Sequence, residues 1–122
     1  MRSMPCLPGL LVVLALGGLH PQAAFAHAVV TASSLKDHPV RAGHPTQVAL
    51  FFNSNVELDL SKVFWVSAGD TFHPAEIRHG KKPGELIIQL PALDVGEYAI
   101  KYKVFAADGH LTESSIRFHV AP

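Results

Sequence analysis

A chain of 122 residues with ten basic and ten acidic side chains has a formal net charge of zero, which leaves room for one domain and no basic face for nucleic acid or an anionic membrane surface. Its one cysteine, Cys6, and its two methionines, Met1 and Met4, all lie in a segment with the pattern of a removable leader. The mature domain therefore has no disulfide, thiolate or thioether, and any metal site in it must be built from nitrogen and oxygen.

The leader is signalled by Arg2, an apolar run from Leu10 to Leu19, and Ala24-Phe25-Ala26 directly before His27. This is the charged, apolar and small-residue order of a secretory signal peptide with an A-x-A cleavage site. The run is too short to span a bilayer comfortably, so cleavage is expected rather than anchoring. Cys6 precedes the run, the wrong place for lipid attachment. Residues 1–26 are thus expected to be the signal peptide and 27–122 the mature domain, which has to hold together by its core alone.

From His27 onward the chain alternates like strand. His27 to Thr31 is expected to open as a short strand, and Ser33 to Gly43 to turn at Pro39 and Gly43. Val48, Leu50 and Phe52 alternate along a second strand that ends at Asn53-Ser54-Asn55, residues that favour turns by bonding their own backbone. Lys62 to Ser67 is apolar on both faces, as a strand between two layers would be, and Trp65 in it is expected in the core. Phe72 to Arg78 suggests a single short edge strand, because Pro74 argues against a central position. After the wet turn at His79 to Gly84, with Lys81 and Lys82, Glu85 to Leu90 is the next strand.

Leu93, Gly96 and Tyr98 have the spacing of a tyrosine corner, in which the phenol bonds back to the backbone and pins a crossover between sheets. Tyr98, Ile100, Tyr102 and Val104 then alternate with Lys101 and Lys103 in a long strand. It stops at Asp108-Gly109-His110, and Ile116, Phe118 and Val120 alternate along the last strand. No stretch has sustained helical spacing. About seven short strands predict an all-β fold, a small immunoglobulin-like Greek-key β-sandwich.

Asp108 and His110 share a face if the backbone stays near extended, since side chains at i and i+2 point the same way. An ordinary Asp-Gly hairpin turn is the competing reading. Cleavage after Ala26 would add a further group, because a terminal His27 offers its α-amine and its ring nitrogen from one residue. That amine titrates at roughly 7.7 to 8.0, so a strongly binding metal can displace its proton near neutral pH. His27, Asp108 and His110 would together supply three nitrogens and one oxygen, a donor set favoured by Cu(II). Seven of the eight histidines belong to the mature domain. Of the others, His38, His44, His73 and His79 are expected at the surface without an assigned role, and His119 is expected to face solvent.

His27-Ala28, Leu93-x-x-Gly96-x-Tyr98, the Ala-Asp-Gly-His that ends at His110, and Phe118-x-Val120 resemble the CopC family of periplasmic copper-binding proteins across essentially the whole mature chain. The resemblance implies a β-sandwich copper carrier with one Cu(II) site on His27, Asp108 and His110, no catalysis, and a role in copper homeostasis or resistance. It also implies a periplasmic location, a monomer, and a CopD-type inner-membrane copper transporter as partner. Two departures stand out. Ser67 to Pro74 contains no methionine where some members have a Met-rich Cu(I) loop, which implies a Cu(II)-only protein, and Ser114 replaces a usual glycine. Two other functions fit the residues: an immunoglobulin-like interaction module without metal, and an oxidative copper enzyme with an amino-terminal histidine brace.

Overall fold

Apolar alternation becomes strand in nine segments of a computed structural model that describes Ser3 and residues 29–122. They are β1 (Val30–Ser33), β2 (Val40–Arg41), β3 (Thr46–Phe52), β4 (Val56–Ser67), β5 (Thr71–Pro74), β6 (Glu76–His79), β7 (Glu85–Leu90), β8 (Gly96–Ala106) and β9 (Leu111–Ala121). One sheet has the order β1-β3-β7-β6 and the other β2-β9-β8-β4-β5. Apart from Ser3, the expected signal peptide lies outside the described residues, as do His27 and Ala28.

The inward-facing residues of each strand meet between the sheets. Val48 and Leu50 of β3, Leu86, Ile88 and Leu90 of β7, Ile100 and Val104 of β8 and Val120 of β9 are fully buried. Each such side chain contributes about 1.5–3 kcal/mol relative to exposure, which is how the domain holds together without a cysteine. Tyr98 Oη donates to the Asp94 carbonyl at 2.9 Å, so the tyrosine corner forms as its spacing predicts.

The described residues form nine strands rather than about seven, for two local reasons. The turn-rich segment after β1 contains the two-residue β2, which runs parallel to β9 through the pair Val40↔Val120. The single edge strand expected over Phe72 to Arg78 is two strands. Pro74 has no N–H to continue a ladder, and at Ala75, whose N–H donates to the Val63 carbonyl at 2.9 Å, the chain crosses over. β5 then edges one sheet and β6 the other.

β4 is longer than its apolar core suggests, because it carries a wide bulge. Glu57 faces Phe105 and the next pair is Lys62 with Lys103, so four residues of β4, Leu58 to Ser61, oppose the single Val104 of β8. Ser61 closes the gap. Its buried hydroxyl accepts from the Phe105 N–H at 3.1 Å and donates to the Glu57 carbonyl at 2.7 Å. Ser61→Ala is expected to lower stability by about 1–3 kcal/mol, since it strips the partner from two backbone groups. A shift of the urea midpoint without a change of slope would show it.

Candidate metal centre

The β8–β9 hairpin carries Asp108 and His110, two of the three candidate donors. Its ladder ends at Phe105↔Leu111, and the four residues 107–110 form the turn. The Ala106 N–H donates to the His110 carbonyl and the Gly109 N–H to the Ala106 carbonyl, both at 2.9 Å. Gly109 takes a φ of +89°, a conformation glycine adopts at little cost.

Asp108 and His110 converge, by a route other than the extended backbone expected from their spacing. The chain turns here, and Asp108 gathers His110 itself: Oδ1 accepts the His110 N–H at 3.1 Å, and Oδ2 lies 3.0 Å from His110 Nδ1. This is a side-chain turn of the kind aspartate favours. Both side chains remain accessible, at 34% for Asp108 and 45% for His110. The hydrogen bond from the His110 ring, and next that from its backbone N–H, hold the Asp108 carboxyl below its usual 3.8. A depressed carboxylate contributes stability above its unfolded pKa and loses it as pH falls through the folded one. That window lies below about pH 4, and on this exposed turn the contribution is small. At neutral pH Asp108 is an anion beside an imidazole, open to solvent.

Asn53-Ser54-Asn55, between β3 and β4, joins this turn to the start of the first strand. The Val29 N–H donates to Asn53 Oδ1 at 2.9 Å, and the Asn53 N–H donates back to the Val29 carbonyl at 3.0 Å. Two residues on, the Asn55 carbonyl accepts the Ala107 N–H at 2.9 Å. One three-residue corner thus holds Val29 at one end and the neighbour of Asp108 at the other. Asn and Ser mark this stretch as a turn in the sequence, but alternation carries no sign that the turn also docks two distant segments.

The corner is fixed from beneath by Gly84. The Phe52 N–H donates to the Gly84 carbonyl at 2.8 Å. A Cβ at Gly84 would meet the Phe52 oxygen at 2.3 Å.

Among the described residues no three or more of His, Cys, Asp and Glu come together in a way that could hold a metal. Asp108 and His110 are brought together, and His27 precedes Val29 by two residues. A carboxylate and an imidazole are hard and borderline donors that suit Cu(II) better than Cu(I).

The other histidines do not gather here. His38, His44 and His79 are exposed, and His119 is an outward residue of β9 paired through Nδ1 with Glu97. His73 is half-buried rather than a surface residue. Its ring stacks on Trp65 at 3.8 Å and 12°, and its Nε2 lies 3.0 Å from Ser67 Oγ. Trp65 itself is half-buried against the core cluster. Ser114 sits in unbroken ladder opposite Tyr102, so the residue that replaces a glycine leaves the hairpin regular.

The model of the CopC domain matches residues 30–121. Among solved structures, CopC from Methylosinus trichosporium OB3b is 29% identical, over 79% of this chain and 95% of that one, with a TM-score of 0.64. PcoC, a methionine-rich copper resistance protein from Escherichia coli, is 21% identical over 78% of this chain and 99% of that one, with a TM-score of 0.57, a likeness of fold. No curated protein matches the chain.

Proposed function

The chain belongs to the CopC family, and from that premise we propose that it is a periplasmic Cu(II) carrier with one mononuclear site and no catalytic step. The donors are the α-amine and ring of His27 once residues 1–26 are removed, the Asp108 carboxylate and the His110 imidazole. The observation that carries this reading is the Asn53–Asn55 corner, which bonds Val29 at one end and Ala107 at the other. Two residues of chain reach at most about 7 Å, so a donor at His27 has only a short arc in which to find Asp108 and His110. The mature domain has no methionine, which supports Cu(II) as the only copper it carries. A CopD-type inner-membrane transporter is the partner that would receive or supply the ion.

Titration of the exported protein with Cu(II) tests the reading. It should bind one copper per chain, with quenching of Trp65 fluorescence, and reductant with oxygen should consume no polysaccharide. Acid should release the metal as the amine and imidazoles take up protons. The ring of His110 holds the Asp108 carboxyl below the usual carboxylate range, so this donor stays ionised to lower pH than an ordinary carboxylate. Asp108→Asn should weaken binding and move release to higher pH, because a more weakly held ion yields to a lower proton concentration, as followed by visible absorption. Release at an unchanged pH would mean that the carboxylate is not a donor.

A further inference from the structure

We infer that Asn53 is a positioning residue for the copper site: it is no ligand, but its side chain fixes the arm that delivers His27. The inference rests on the copper reading above and adds a residue to it. Asn53 closes a ring of two hydrogen bonds with Val29, donating from its backbone N–H and accepting at Oδ1. Both polar groups of the Val29 backbone are thereby held, two positions after His27.

Without the Asn53 amide, the next anchor along the arm is poor. β1 is an edge strand of four residues, and its register against β3 slips between Val30 and Ala32. Losing the side-chain bond therefore leaves Val29 held by the Asn53 backbone N–H alone, next to that irregular register. Each backbone residue released has to be ordered again when the metal binds, which costs about tenfold in affinity. The corner also sets the distance. The same three residues that hold Val29 hold Ala107 through the Asn55 carbonyl, so the arm and the Asp108–His110 turn are referred to one rigid element. Preorganisation of this kind raises affinity without adding a contact.

The test compares the exported wild-type protein with N53A, N53D and H110A. Cu(II) dissociation constants, the electron paramagnetic resonance spectrum of the copper form and the metal-free melting temperature are measured for each. N53A is expected to bind copper about tenfold more weakly, the equivalent of one ordered residue. Its spectrum should be that of wild type, because the ligands are the same, and its metal-free melting temperature should be close to wild type, because the bond is exposed. N53D keeps the Oδ1 acceptor and should restore the affinity. If N53A matches wild type while H110A loses copper, the positioning role is overturned and the ligand set stands. A fall in melting temperature that tracks the affinity loss, with no rescue by N53D, would make Asn53 structural and also overturn it. If H110A binds as wild type does, the ligand reading fails and the role of Asn53 fails with it.

Discussion

A single extra residue left ahead of His27 is expected to weaken Cu(II) binding by about two orders of magnitude or more. Loss of an outer-shell partner typically costs 10–100-fold, and this change removes a direct donor. The extra residue turns the His27 amine into a peptide nitrogen, which no longer releases a proton near neutral pH. The ring of His27 would remain, together with Asp108 and His110, but the chelate made by amine and ring within one residue would be gone. His27→Ala removes the ring and keeps the amine, and should cost a similar amount. His110→Ala should be at least as costly, because it removes one nitrogen and also the ring contact, 3.0 Å from Nδ1 to Asp108 Oδ2, by which the two side chains orient each other; the backbone N–H bond to Oδ1 stays. Competition against a chelator of known affinity reads all three. His110 lies outside the buried core, so the melting temperature of metal-free His110→Ala should be close to that of wild type.

The second large effect belongs to Gly84, at the base of the corner. Gly84→Ala is expected to cost on the order of 3 kcal/mol, at the upper end of the usual range for single substitutions. Two terms combine. The φ of +76° is unfavourable for a residue with a Cβ by roughly 1–2 kcal/mol, and the new methyl would lie 2.3 Å from the Phe52 oxygen and 3.2 Å from the Ser54 oxygen. Both obstacles are backbone, so the corner itself has to move. Gly43 and Gly69 have similar φ values, +80° and +77°, with nothing within 4 Å of a Cβ. Alanine there should cost only the conformational term of about 1–2 kcal/mol. Denaturant unfolding of the three variants separates strain from collision. Because the displaced carbonyls flank Asn53, copper affinity should also fall in Gly84→Ala and hold in the other two.

Much of this was legible in the sequence, and the rest was hidden for physical reasons. Strands β3, β7, β8 and β9 follow from alternation alone, because each has one buried and one wet face. Tyr98 was legible because a corner of this kind has a fixed spacing. β2 was not: two residues carry no period, and its parallel pairing with β9 depends on where the far end of the chain lies. The split between β5 and β6 was half legible, since Pro74 marks the break but nothing local says that the two pieces edge different sheets. The bulge in β4 was hidden because Ser61 looks like an ordinary polar residue until a distant N–H is placed on its hydroxyl. At the site, Asp108 and His110 were legible as a pair, although the pairing is made by a side-chain turn and not by extended backbone. His73 looks like a surface residue in a polar loop, and only the register of β4 with β5, which pairs it with Trp65, puts the two rings together. Asn53 was legible as a turn former and not as an anchor, because hydrogen bonds to Val29, 24 positions away, have no local signature.

The proposed copper site is completed only by proteolysis, and intact mass spectrometry of the exported protein, with and without Cu(II), tests this most directly. The predicted result is a chain that begins at His27 and gains the mass of one copper under native conditions, with the copper lost on acidification. A chain with another first residue that takes up one copper just as tightly, or a chain beginning at His27 that takes up none, would contradict it.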